Sequence, residues 1–409
     1  MTGVYYDPYN FEIDADPYPI WKRMRDECPL YYNEKYGFYA LSRFEDVERC
    51  SKDWRRYSSA RGTVLELIKS GVKPPPGALI MDDPPVHDRL RALVSGIFSP
   101  RRIAALEPEV RAFCARSLDP KVGRGRFDFI ADLGAQMPMR TIGMLLGIPE
   151  EDQEAIRDLI DGGLRLKQGE PPTPDMYRQL IAGRSRVFAA YLEHRAQEPC
   201  DDVMSELVHA ELEDVDGTRR RLRREEVLGF VNLLSSAGNE TTARLIGWAG
   251  KVLAEHPDQR RELANDPGLI PRAIEELLRY ESPSPVQARY VTEDVEHHGH
   301  VVPRGSVMLL LTASANRDER RISDPDRFDI HRTAGQHVAF GYGVHFCLGA
   351  ALARLEGRVA LAAVLKRFPE WEVDWQHAQR AHTSTVRGRE RLPVRSVGVS
   401  VTRDPPRWS

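Results

Sequence analysis

No stretch of this sequence holds 18 or more consecutive apolar residues, so no segment reads as a membrane-spanning helix. Residues 1–16 are polar, acidic and rich in tyrosine, and lack the basic and apolar regions of a secretory signal. The expectation is a cytoplasmic protein. Cysteine is sparse: Cys28, Cys50, Cys114, Cys200 and Cys347 are five scattered residues. No pair has zinc-like spacing and the count is odd, which excludes a disulfide framework or a zinc module. A Cys-x-x-Cys-His run is missing too, which excludes covalent c-type haem attachment. A strong charge imbalance is absent. The formal net charge of −3 argues against a general nucleic-acid binder. There is no internal repeat and no low-complexity tract, and the mix of 41% hydrophobic and 29% charged residues suits a soluble globular protein.

What is present centres on Phe340-Gly341-Tyr342-Gly343-Val344-His345-Phe346-Cys347-Leu348-Gly349. An apolar helical pattern follows at once, through Leu352, Leu355, Val359 and Leu361. A thiol just ahead of a helix meets outward-pointing N–H groups and the positive end of the dipole. That setting predicts a lowered thiol pKa. Glycines on both sides let a flat object approach the backbone. A soft thiolate in such a loop is a plausible ligand for haem iron. Gly341-Tyr342-Gly343 lacks the third glycine of a dinucleotide loop.

This run resembles the haem-binding signature of the cytochrome P-450 superfamily: Phe, two residues, Gly, one residue, His or Arg, one residue, Cys, one residue, Gly. Further stretches resemble family motifs in the family's order, from about Asp83 to Val394. His87 and Arg91, four apart after Asp83-Pro84-Pro85, share a helix face and resemble a His-x-x-x-Arg pair. Ala237-Gly238-Asn239-Glu240-Thr241-Thr242 puts polar residues mid-way along the longest helical pattern, about Arg224 to Ala254, where a buried helix rarely tolerates them. Glu276 and Arg279 match a Glu-x-x-Arg pair, with Arg327 as the candidate third member of a structural clamp. Arg289 aligns with an arginine that binds a haem propionate, and Arg387 to Val394 resembles the terminal sheet segment.

The resemblance implies a mainly α fold with a small β portion, the cytochrome P-450 fold, as a single domain over residues 1–409. It implies one non-covalent heme b (iron protoporphyrin IX), with Cys347 as axial ligand of the iron and His87, Arg91, Arg289 and His345 on the propionates. Glu240 and Thr241 would deliver protons to dioxygen on the distal side, and Gly238 would let the helix approach the ring. The implied activity is monooxygenation of an apolar organic substrate, by hydroxylation or epoxidation. With no flavin or iron–sulfur motif in the chain, electrons would come from a separate ferredoxin and its NAD(P)H reductase. Arg101, Arg102, Arg354, Arg358, Lys366 and Arg367 are candidate docking residues. Alternatives are a peroxide-using or isomerase-type haem-thiolate enzyme, or a non-catalytic haem-binding protein. Leu234, Ala237, Gly238, Val286 and Thr385 are candidate substrate contacts, beside a short helical turn near Val64–Ile68.

The other expectations concern organisation. Residues 102–118, 127–146, 150–165 and 174–197 read as helices, with a break at Gly169 to Pro174; the resemblance implies that such a break joins two helices that roof the substrate pocket. Glu211 to Arg224 reads as an exposed loop or a hairpin turning at Asp216-Gly217. Tyr280 to Ala313 has strand character. His297-His298-Gly299-His300 lies at a hairpin among charged neighbours, and reads as solvent-facing rather than metal-binding.

Overall fold

A computed structural model describes residues 3–162, 165–214, 216–333, 335, 337–383 and 386–396. Its centre is the helix Arg224–Glu255. At 32 residues it extends about 48 Å, enough to cross the molecule. Glu226 secures its start by accepting from the Arg223 N–H at 2.7 Å and from the guanidinium groups of Arg220 and Arg223. Phe230, Val231, Leu245, Ile246, Val252 and Leu253 bury its flanks. Helices Met137–Leu146, Pro174–Gln197, Ile270–Tyr280 and Ala350–Arg367 pack around it. Helix makes up 53% of the structure and strand 14%, the expected proportion.

The β portion stands to one side. A five-stranded sheet runs in the order Leu30–Asn33, Phe38–Leu41, Val307–Leu310, Gln287–Val291 and Tyr57–Ser58. Val307–Leu310 pairs antiparallel with Gln287–Val291, setting Arg289 opposite Met308. Strands Gln379–His382 and Arg387–Arg391 form a separate hairpin towards the C-terminus.

Several helices differ from their sequence-based bounds. Residues 102–118 divide into Pro100–Ala105 and Glu107–Leu118, because Pro108 has no N–H to continue the ladder and restarts the helix in its first turn. Residues 127–146 are not one helix. Arg126–Asp128 is a strand paired with Pro393–Ser396, then comes a wide π turn, Phe129–Gly134, before Met137–Leu146 begins. Asp128 forces the change, since its carboxylate caps the N–H groups of Ile130 and Ala131. Helices Val203–His209 and Pro257–Asn265 were not anticipated. The hairpin at Glu211–Glu213 and Arg219–Arg221 is present, as are the strands of the 280–313 region.

The helices expected to form the roof are Glu150–Gly162 and Pro174–Gln197. The segment between them is tied down by backbone: the Leu166 N–H donates to His382 at 2.7 Å, and the Gly169 N–H to Tyr9 at 3.0 Å. His297 is buried, not solvent-facing, and Tyr57 lies 2.5 Å from its Nε2. His298 turns to Asp46 at 2.8 Å.

Candidate active site

The thiol loop folds back on itself before helix Ala350–Arg367 starts. The Cys347 N–H donates to the Phe340 carbonyl at 2.9 Å. Gly343 has φ +71°, and a Cβ there would sit 2.6 Å from the Ser51 carbonyl, so the turn admits only glycine. The Gly349 N–H reaches the Cys347 sulfur. Burial raises the thiol pKa, and the Gly349 N–H, Arg91 and Arg354 only partly pull it back. The helix start alone therefore does not lower it, contrary to the expectation from sequence. An iron bound to that sulfur would remove the proton outright.

Beside the loop lies a cluster of basic side chains from three elements, with His87 and Arg289 buried and Arg91 and His345 half-buried. His87 and Arg91 come from helix Val86–Ser95, Arg289 from strand Gln287–Val291 and His345 from the loop itself. The His87 and His345 rings meet edge to face at 4.6 Å. Arg91 ties its helix to the loop by donating to the carbonyls of Val344, at 3.2 Å, and Phe346, at 2.8 Å. Burial, then Arg289, His87 and Arg91, push His345 down to about 3. Burial alone takes Arg289 down to about 10 against the opposing pull of Asp83. The Nε2 atoms of both histidines are buried without a hydrogen-bond partner. His87 has Asp88 2.9 Å from its Nδ1, yet both Nε2 atoms are unpartnered beside two guanidinium groups, a set of donors that suits an anion. The two propionates of a haem supply that chemistry, so the residues present fit the group.

On the central helix, Ala237 is exposed and Thr241 half-exposed, whereas Asn239, Glu240 and Thr242 are buried. Ala237 and Thr241 are one turn apart, so they define an uncovered stripe on an otherwise covered helix. The Thr241 hydroxyl donates to the Ala237 carbonyl at 2.7 Å. Gly238 has a packing task in addition to the one expected: a Cβ there would lie 3.3 Å from Ile142 on the neighbouring helix.

Glu240 does not point along that stripe. It pairs with Arg244 at 3.0 Å, and both are buried. Burial raises its pKa, Arg244 and Arg184 oppose the rise, and Asp161 adds to it. Arg184 reaches down from the roof to Ser236 at 2.9 Å and to the Ile160 carbonyl at 3.0 Å. The sequence reading missed Arg184, Arg244 and Asp161, although the i,i+4 spacing of Glu240 and Arg244 signals the pair. It also missed Glu356 on helix Ala350–Arg367. That carboxyl is 1% exposed, reaches Thr141 and Thr242, and is pushed up to about 8 by burial.

Glu276 and Arg279 pair at 2.7 Å in the interior. The third member is Arg332, 3.2 Å from Glu276, and not Arg327. Arg327 turns its side chain outward to Asp329 and offers only its carbonyl to Arg279. Of the candidate substrate contacts, Leu234 is buried on the central helix and Thr385 lies outside the described residues. Val286 lines a cavity of about 70 Å³ with Val64, Leu65, Glu66, Pro285 and Val386.

The Cytochrome P450 family model matches residues 268–388. A putative cytochrome P450 123 of Mycobacterium tuberculosis is 40% identical over 391 residues, covering 95% of this chain and 96% of its own. The chain belongs to the cytochrome P450 family. It is a cytochrome P450 monooxygenase, an oxidoreductase. The erythromycin C-12 hydroxylase of the bacterium Saccharopolyspora erythraea is 39% identical, over 91% of this chain and 92% of its own. A structure of a mutant of P450 EryK in complex with erythromycin B superposes with a TM-score of 0.87 at 34% identity, covering 96% of this chain and 98% of that one. The family implies a haem-iron cofactor, dioxygen and a redox partner. No helix among the described residues is long and apolar enough to cross a membrane.

Proposed function

We propose that this cytochrome P450 is a cytoplasmic, single-domain haem-thiolate enzyme. It holds heme b through Cys347 and oxygenates an apolar organic substrate with electrons from a separate ferredoxin and its reductase. The overall balance is R–H plus O2, two electrons and two protons, giving R–OH and water. The observation that carries the reading is the cluster of basic side chains His87, Arg91, Arg289 and His345 beside the thiol loop, with two orphaned ring nitrogens.

When bound, haem iron supplies the redox chemistry that activates dioxygen, which a thiolate ligand steers towards O–O cleavage. Cys347 gives up its proton, and the Gly349 N–H at its sulfur moderates the charge on the thiolate. The guanidinium groups of Arg91 and Arg289 and the ring nitrogens of His87 and His345 would donate hydrogen bonds to the propionates and fix the orientation of the ring. The Ala237–Thr241 stripe would face dioxygen and substrate. The Thr241 hydroxyl, which donates to the Ala237 carbonyl, would rotate to pass on a proton as the oxygen takes up electrons from the redox partner. Glu240, its carboxyl raised by burial, takes protons from the roof side and relays them inward. Leu234 and Val286 supply apolar wall. The name of the erythromycin C-12 hydroxylase supports hydroxylation as the reaction type.

The test is oxygen labelling with a ferredoxin–reductase pair. The reading expects one labelled atom per product and a strict need for the electron donor. Product formed equally well from peroxide, with the donor omitted, would overturn it.

A further inference from the structure

The cavity lined by Val286 has an acidic wall that the reaction described above does not use. It lies between the N-terminal segment, the short helix Leu65–Ser70 and the strand that carries Arg289. Its lining includes Asp7, Asp14 and Glu66, with Arg387 as the one guanidinium, and apolar surface from Tyr6 and Trp21.

Three of these charges are already satisfied. Asp7 accepts from the Tyr9 N–H at 2.9 Å and from Tyr36 at 3.2 Å, with Lys35 at 3.4 Å. Asp14 meets His382 at 3.1 Å. Arg387 is neutralised by Glu281 at 2.6 Å. Glu66 is different. It is 7% exposed, and its Oε2 is buried without a hydrogen-bond partner. Tyr9 from the N-terminal segment and Tyr177 from the roof reach the carboxyl, but no cationic side chain does. A buried carboxyl on an apolar wall with one free oxygen and no counter-charge among the described residues is completed by a positive charge brought against that oxygen.

We propose that Glu66 and this cavity form a subsite for an ammonium group carried by the substrate. An anion would meet three carboxylates there against one already paired guanidinium. A neutral apolar group would leave the Glu66 oxygen unsatisfied. A substituted ammonium gains the carboxylate and rests its alkyl groups on Tyr6 and Trp21. Because Val286 adjoins the strand holding Arg289, a substrate anchored at Glu66 extends its apolar part towards the proposed haem site. Burial, offset in part by the backbone and the two tyrosines, raises Glu66 to about 7. Recognition of the cation is therefore strongest when Glu66 is ionised, and weakens as pH falls through that value.

The proposal rests on the monooxygenase reading only in assigning the ammonium group to the substrate. Its test is calorimetric binding to haem-loaded protein of two esters of one shape, decanoylcholine and 3,3-dimethylbutyl decanoate. The first is cationic and the second neutral, and neither has a nitrogen lone pair to ligate iron. The expected result at about pH 8 is binding of the cationic ester about tenfold or more tighter, as one charge-assisted contact gives. The preference should shrink towards pH 6 and vanish in Glu66→Gln. Equal affinity for the two esters in the wild type would overturn the proposal, as would a preference that survives Glu66→Gln. Should the variant fail to load haem, the wild-type pH profile decides alone: a preference constant from pH 6 to 8 overturns it. A reduced, CO-bound spectrum of the same sample reports on Cys347 separately, so the two readings fail independently.

Discussion

Cys347 and the four basic side chains beside it show what single residues contribute. The thiol is held up by burial, so the protein alone does not offer a thiolate, and burial with the neighbouring positive charges keeps His345 from taking a proton. Both costs disappear when a dianionic metal macrocycle binds. Removing one partner should therefore weaken cofactor retention more than folding. His87→Ala and Arg289→Ala are each expected to speed haem transfer to an apo-globin acceptor by about 10–100-fold, the worth of a hydrogen bond to a charged group. Unchanged transfer would remove that residue from the propionate set. For Thr241→Ala the expectation is uncoupling: reductant use persists while peroxide replaces most of the product. Unchanged coupling removes Thr241 from proton delivery. Cys347 and His345 were legible because they lie within one short motif. His87 and Arg289 stand some 260 and 60 residues from Cys347, and only the resemblance to a known family joined them to it. Glu66 and Glu356 were not legible at all, because a glutamate on a short or amphipathic helix reads as solvent-facing until the neighbouring elements cover it.

At the scale of elements, the fold is held by carboxyls placed where helices meet. Glu356 joins helix Ala350–Arg367 to Met137–Leu146 and the central helix through Thr141 and Thr242. Raised to about 8, it keeps a proton in the folded state that the unfolded chain releases near 4.5. Between those values the folded state binds more protons, so stability is complete below about pH 4.5 and is lost as pH rises towards 8. Glu66 acts in the same direction over a narrower range. Glu356→Gln should flatten the fall of Tm between about pH 5 and pH 8. A slope equal to that of the wild type would refute the role given to Glu356. The Glu276–Arg279–Arg332 clamp is a second such joint. Glu276→Ala leaves buried Arg279 uncompensated, with an expected loss of about 3–5 kcal/mol in urea unfolding. A loss under about 1 kcal/mol, the worth of a surface pair, would contradict the buried geometry. Sequence located Glu276 and Arg279 by spacing but chose Arg327 over Arg332. Which of two nearby arginines turns inward depends on the loop that carries them, and periodicity says nothing about it. Residues 127–146 were misread for a related reason: apolar spacing continued through a strand whose partner, Pro393–Ser396, lies at the far end of the chain.

At the scale of the whole molecule, one further surface carries the residues expected to dock the redox partner. Helices Pro100–Ala105 and Ala350–Arg367 pack together and carry the arginines expected to dock a ferredoxin. Arg102, Arg354 and Arg367 are engaged by Glu206, Glu275 and Asp119, while Arg101, Arg358 and Lys366 are exposed. The docking field is thus weaker than the sequence count implies. Its reduction rate by an acidic ferredoxin should still fall as salt rises. A salt-independent rate would exclude charge steering. At this scale most of the fold was legible, since long amphipathic helices and ordered motifs survive folding. The roof contacts to Tyr9 and His382 were not, because backbone bonds between distant loops leave no trace in composition. The central claim remains that Cys347 holds the iron of a haem fixed by His87, Arg91, Arg289 and His345. The direct measurement is the reduced, CO-bound spectrum of wild type and Cys347→Ser. The account predicts the strongly red-shifted Soret band of a thiolate-ligated haem in the wild type and its loss in the variant. A haem-loaded wild type without that band, or a variant that keeps it, would contradict the account.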